Sequence, residues 1–155
     1  MPSEPNNNAL PLTNTHEIFM REALREAKKA FDADEVPVGA IIVFENKIIA
    51  RAHNFTELLT DPTAHAEMQV ITAATHHFGF KYLNQCTLYV TLEPCMMCTG
   101  AIFWSQLAAI VYGAPDPKRG FLSKQNILLP KTTITGSVLA EECSLLLKQF
   151  FQNKR

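Results

Sequence analysis

Three short pieces of the chain hold the residue types that chemistry needs: Asn54, the run His65-Ala66-Glu67, and the run Pro94-Cys95-Met96-Met97-Cys98. Cys95 and Cys98 lie one helical turn apart and can face a single ion. At a helix start, the free N–H groups and the positive dipole end favour the thiolate, which is the metal-binding form. His65 offers a nitrogen as a third ligand. Three protein ligands on tetrahedral zinc leave one position for water, the arrangement of a catalytic site rather than a structural one. Glu67, two residues beyond His65, places a carboxylate that could take the proton of that water and pass it to a substrate nitrogen. A C-x-x-C pair alone also fits a thioredoxin-like redox couple or half of a structural zinc site. The His65/Glu67 pair argues against redox chemistry, which has no use for it. A structural site needs a fourth ligand, and His53, His76, His77, Cys86 and Cys143 are the obvious candidates. Zinc is read from the ligand types, which other metals also tolerate.

The remaining cysteines, Cys86 and Cys143, read as buried small hydrophobes. His76-His77 reads as dipole compensation at a helix end, Glu93 as a turn residue bonded to backbone, and Phe150-Phe151 as core packing.

These groups must be positioned by a domain of 155 residues, long enough for one domain with a sizeable core. The composition is 47% hydrophobic and 19% charged, which excludes a disordered chain, a collagen and a disulfide scaffold. No apolar run approaches the ~20 residues of a membrane helix. Met1–Asn8 lacks the basic-then-apolar order of a secretory signal, so a reducing cytoplasm is expected. The net charge of −1 neither requires nor excludes nucleic acid, because a local basic patch would suffice.

Along the chain, residues 1–14, with Pro2, Pro5 and Pro11, read as a mobile tail. A helix follows, with a start signal in Asn14 and Glu17 and one face made of Met20, Leu24, Ala27 and Phe31. Val38–Phe44 and Lys47–Ala52, separated by Glu45-Asn46, read as a hairpin. Arg51–Pro62 reads as a loop, His65–Phe78 as a helix ending at Gly79, and Cys86–Thr91 as a strand. Cys95–Ser105 reads as a helix opened by Pro94, and Ala108–Tyr112 as a strand ending at Gly113. Ala114–Pro130 reads as a turn-rich loop with some helix, Thr132–Thr135 as a short strand and Val138–Gln152 as a final helix. Strands alternating with helices predict a three-layer α/β/α domain. Its sheet is mixed, with about five strands, opens on an antiparallel hairpin and runs parallel later.

The H-x-E…P-C-x-x-C pattern is the known signature of zinc nucleobase deaminases. Val36-Pro37-Val38-Gly39-Ala40, Asn54, Asp61-Pro62-Thr63-Ala64-His65-Ala66-Glu67 and Thr87-Leu88-Tyr89-Val90-Thr91-Leu92-Glu93-Pro94-Cys95-Met96-Met97-Cys98 further resemble the bacterial tRNA-specific adenosine deaminases. So does the ending Val138-Leu139-Ala140-Glu141-Glu142-Cys143…Phe150-Phe151, so the resemblance covers residues 16–155. It implies a cytidine-deaminase-like fold spanning 15–155, a homodimer, and hydrolysis of adenosine to inosine at the wobble position of a tRNA anticodon arm. Residue by residue, it implies His65, Cys95 and Cys98 as ligands of one zinc per chain, Glu67 as the proton shuttle and Asn54 as the residue that hydrogen-bonds a splayed-out base. Lys118, Arg119 and Lys124, with Lys148, Lys154 and Arg155, are candidate RNA contacts; the last three also suit a solvated C-terminal turn. After Gly113 the chain is shorter than is usual in that family, and Ile102-Phe103-Trp104 is bulkier. A free purine-base deaminase of the guanine deaminase kind has the same machinery, and a silent zinc-stabilised RNA-binding module is a rival from another class.

Overall fold

The computed structural model describes residues 12–122 and 130–154. Its elements are α1 (Leu12–Asp32), β1 (Gly39–Phe44), β2 (Lys47–His53), α2 (Ala66–Phe78), β3 (Thr87–Leu92), α3 (Met96–Ser105), β4 (Ala109–Ala114), β5 (Thr133–Thr135) and α4 (Ala140–Gln152). The five strands form one sheet in the order β2-β1-β3-β4-β5. β1 is antiparallel to both β2 and β3, whereas β3, β4 and β5 run parallel. The hairpin turn falls at Glu45 and Asn46, both at positive φ (49° and 60°), as a two-residue turn that follows strand twist requires.

Central strands covered on both faces bury successive residues into opposite cores. Ala40, Ile42, Leu88, Val90 and Ile110 point toward Ala66, Val70 and Ile102 of α2 and α3. Ile41, Val43, Tyr89 and Val111 point toward Met20 and Ala23 of α1 and Cys143 of α4. This is the expected three-layer domain.

The buried stripe of α1 is Met20, Ala23, Ala27 and Ala30, with Leu24 and Phe31 half-buried at its margin. Alanine is required there because β1 comes very close: a Cβ on Gly39 would lie 2.1 Å from the Ala23 carbonyl oxygen and 2.3 Å from the Ala27 nitrogen. α1 begins at Leu12, ahead of the expected Asn14, and residues 1–11 lie outside the described ones. β2 continues to His53, beyond the expected Ala52, so the following loop begins at Asn54 rather than Arg51. β4 passes through Gly113 instead of ending there. The glycine lets α4 approach, since a Cβ would meet the Cys143 sulfur at 2.4 Å. α4 begins at Ala140 rather than Val138 because Leu139, at φ 53°, turns the chain into it. After β4 takes in Ala114, the described residues of the 114–130 stretch hold turns and no helix.

Candidate active site

One end of the sheet gathers Asn54, His65, Glu67, Cys95, Cys98, Lys118 and Arg119. β3 and β4 are parallel, so their carboxyl ends coincide there; β1 is antiparallel and contributes its amino end, and β2 its carboxyl end. The Glu93 N–H bonds the Ala114 carbonyl at 2.8 Å, which joins the segments leaving β3 and β4. A crevice outside strand carboxyl ends is the usual ligand position of open α/β sheets.

Both helices that follow these strands begin at the site, and their first residues are two of the expected ligands. His65 is the N-cap of α2 (φ −71°, ψ 154°) and Cys95 the N-cap of α3 (φ −75°, ψ 176°), neither using its side chain to cap. Cys98 is one turn into α3 and fully buried. His65 Nδ1 lies 3.7 Å from Cys95 Sγ and 3.5 Å from Cys98 Sγ. Two ligands on a tetrahedral zinc, at ordinary Zn–N and Zn–S lengths, stand about 3.6 Å apart. The three donor atoms lie within 4.8 Å of one another and form the only group of this kind among the described residues. They could hold a metal ion. Among the described residues no fourth protein ligand joins them, and the other structural-site candidates, Cys86 and Cys143 included, lie elsewhere.

The donors share charge unequally. The Cys98 thiol donating to the Cys95 sulfur, with His65 beside it, holds Cys95 down to about 4. The same contact with Cys95, together with burial, drives Cys98 strongly upward. Hydrogen bonding to Cys95 raises His65. Glu67, in the first turn of α2 and 4% exposed, is pushed upward by desolvation. A buried carboxyl raised in this way is suited to take and return a proton near neutrality.

Asn54 meets α2 from outside. Its Oδ1 accepts the buried Ala66 N–H at 2.7 Å, which satisfies the first amide of a helix whose own N-cap side chain is engaged elsewhere. That bond fixes the amide's orientation and leaves its NH2 group as the donor for the cavity. The cavity has a volume of about 630 Å³, and its wall includes Asn54, His65, Glu67, Cys95, Lys118 and Arg119. The Asp61-Pro62-Thr63 approach to His65 is shaped by Asp61 Oδ1, which accepts the Thr63 N–H at 2.8 Å and its hydroxyl at 2.7 Å. The same bonds lower the Asp61 pKa.

Several contributors were not evident in the sequence. Glu93, 2% exposed, accepts the Asp116 N–H at 3.1 Å and packs against Gly120, so the expected backbone-bonded turn residue is also a cavity wall. Asp116 Oδ1 in turn accepts the Lys118 and Arg119 N–H groups at 3.2 and 3.1 Å, which builds the turn that carries both cations. An aspartate before a proline was the available signal. Phe150 packs on Phe31 in the core as expected, but Phe151 is half exposed and lines the cavity. Of the C-terminal cations, Lys148 stands in a neighbouring groove that shares Leu147 and Phe151 with the cavity. Lys154 is paired with Asp34 and lies over the Phe150 ring, so the structure uses it to tie α4 to the end of α1. Lys124 and Arg155 lie outside the described residues. Trp104, 76% exposed, stands on the outer surface of α3 rather than in the cavity wall. Among the described residues, no helix is long and apolar enough to cross a membrane.

The MafB19-like deaminase family model matches residues 14–155. The chain is 47% identical over 144 residues to the tRNA-specific adenosine deaminase of Aquifex aeolicus, covering 90% of this chain and 95% of that one. A solved structure from work on A-to-I editing by tRNA:A34 deaminases superposes with a TM-score of 0.79 at 38% identity, over 83% of this chain and 98% of the other. Guanine deaminase from Bacillus subtilis aligns more loosely, with a TM-score of 0.63 at 31% identity over 89% and 94% of the two chains.

Proposed function

The chain belongs to the family of tRNA-specific adenosine deaminases, and from that premise we propose that it hydrolyses adenosine to inosine at the wobble position of a tRNA anticodon, releasing ammonia. The observation that carries this reading is the juxtaposition of His65, Cys95 and Cys98 with buried Glu67 and an amide-bearing Asn54 in one cavity. His65, Cys95 and Cys98 hold one zinc ion. Zinc bound there supplies Lewis acidity, which makes water nucleophilic at neutral pH.

This chain's own residues do the rest. Asn54 donates its fixed NH2 group to the purine edge and holds the flipped base with C6 toward the ligand cluster. Glu67 takes a proton from the attacking water and returns it to the departing nitrogen. Leu92, Val36 and Val38 give the base apolar walls that exclude bulk water. Lys118 and Arg119, at the rim, meet backbone phosphates. The protein acts in the cytoplasm as a homodimer, and exposed Met96 and Trp104 on α3 offer apolar surface to a second copy.

The test is ammonia release by the purified zinc-loaded protein. The substrates are an anticodon stem-loop with adenosine at the wobble position and, separately, free guanine, adenine, adenosine and cytidine. Release from the stem-loop alone, weakening as salt rises, is the expected result. Release from free guanine alone would replace this reading with the free-base one.

A further inference from the structure

Asn54 and His65 are joined by a ten-residue loop that leaves β2 and returns to α2. Its neck is closed by the Phe55 N–H bonding the Ala64 carbonyl at 2.9 Å. Its tip is open to solvent: Leu58 and Leu59 are 71% and 53% exposed. A loop with so little burial would fray on its own.

The loop is held by a carboxylate from another part of the chain. Glu35 lies between α1 and β1, is 1% exposed, and has its own N–H bonded to the Ala30 carbonyl at 2.9 Å. Glu35 Oε1 accepts the Glu57 N–H at 2.9 Å and the Leu58 N–H at 2.8 Å. Oε2 accepts the Thr56 hydroxyl and the Glu57 N–H, both at 3.2 Å. Three consecutive loop residues thus converge on one buried carboxylate, and charge-assisted bonds of this kind are the strong ones. Thr56 is itself a cavity residue. Just outside the neck, Asn54 is bonded to the Val38 carbonyl through its N–H (3.2 Å) and to Ala66 through its side chain.

We infer that Glu35 is a positioning residue for the deamination: by clamping residues 56–58 it sets the loop whose two ends present Asn54 and His65 to one cavity. What is positioned rests on the functional reading above; the clamp itself does not.

Glu35→Gln tests both parts. An amide keeps the shape but turns an NH2 group toward donors. The expected result is faster hydrogen exchange at the Glu57 and Leu58 amides, by about tenfold or more, with metal content unchanged. The KM for the wobble-adenosine stem-loop should rise by about tenfold while kcat changes less than about threefold, the pattern of weakened substrate binding. Glu35→Asp, still anionic, should recover part of both. A general loss of stability would not produce that split or that rescue. Unchanged exchange at the two amides, or faster exchange with an unchanged KM, overturns the proposal. If Glu35→Gln does not fold, Glu35→Asp is compared with the wild-type protein by the same two readouts. Should the wild-type protein release no ammonia from the stem-loop, the functional reading falls, and the exchange comparison still decides whether Glu35 holds the loop.

Discussion

Asn54 sits where helix stability and the proposed substrate contact meet, and two substitutions separate them. Its Oδ1 is the acceptor for the Ala66 N–H at 2.7 Å, and Ala66 is fully buried. Asn54→Ala leaves that amide without a partner. A buried donor left unsatisfied costs about 1–3 kcal/mol, and for a domain of this size each kcal/mol lowers Tm by about 2–4 °C, giving a fall of about 2–12 °C. The same variant removes the NH2 group proposed to face the base, and loss of one such hydrogen bond should lower kcat/KM for the stem-loop roughly 10- to 100-fold. Asn54→Asp restores an acceptor at the positive end of α2 without restoring a donor. Its Tm should return to within about 3 °C of the wild-type value, while kcat/KM stays depressed. Thermal unfolding and single-substrate kinetics on the three proteins are sufficient. The reasoning fails if Asn54→Ala is as stable as the wild type, or if Asn54→Asp is as active.

Other expectations concern chemistry, scaffold and electrostatics. Glu67→Gln should bind the same amount of metal and release ammonia about 10²–10⁴ times more slowly; near-normal turnover would remove Glu67 from its role. Gly39→Ala forces a methyl group to 2.1 Å from α1 backbone that can yield only by moving the helix. Denaturant unfolding should show a loss of about 3 kcal/mol with metal content intact, because the ligands hang from the opposite face of the sheet. Burial pushes both the Cys143 thiol and the Tyr89 hydroxyl up to about 12. In the unfolded chain these groups ionise near 9 and 10, so above pH 9 the unfolded state binds fewer protons and stability falls as pH rises toward 12. Cys143 contributes at most about 1.4 kcal/mol per pH unit in that window, and Cys143→Ala should flatten the slope between pH 9 and 10. Replacing Lys118 and Arg119 with alanine should reduce the slope of log affinity against log salt by roughly 0.7–0.9 for each phosphate no longer neutralised; an unchanged slope would place the RNA elsewhere.

What the sequence makes legible is mostly local. Glu45-Asn46 selects a turn that only a hairpin uses, Gly79 at φ 75° ends α2 where expected, and the spacing of Cys95 and Cys98 predicts one turn of helix. The ligand cluster is legible because two helix starts carry it. The residues that hold the loops are not. Glu35 reaches Glu57 across 22 positions and Glu93 reaches Asp116 across 23, and a lone glutamate in a sequence gives no sign of which distant amides will find it. Strand order is equally hidden: β1 lies between β2 and β3, antiparallel to each, an arrangement set by sheet-wide packing rather than by any local run. On α1, periodicity finds the buried Met20 and Ala27 but also places Leu24 and Phe31 on that face, where they are only half-buried, because the close approach at Gly39 demands the small side chains of the alanine stripe.

The placement of Trp104 gives the protein an optical property. It is the chain's single tryptophan, and it stands three-quarters exposed near the end of the helix whose start carries Cys95 and Cys98. Indole emission from an isolated copy is therefore that of a fluorophore in water. Burial of α3 beneath a second copy or a folded RNA would move that emission to shorter wavelength. Dilution and RNA titrations can thus be followed without attaching any dye, and the signal comes from the same helix that carries Cys95 and Cys98.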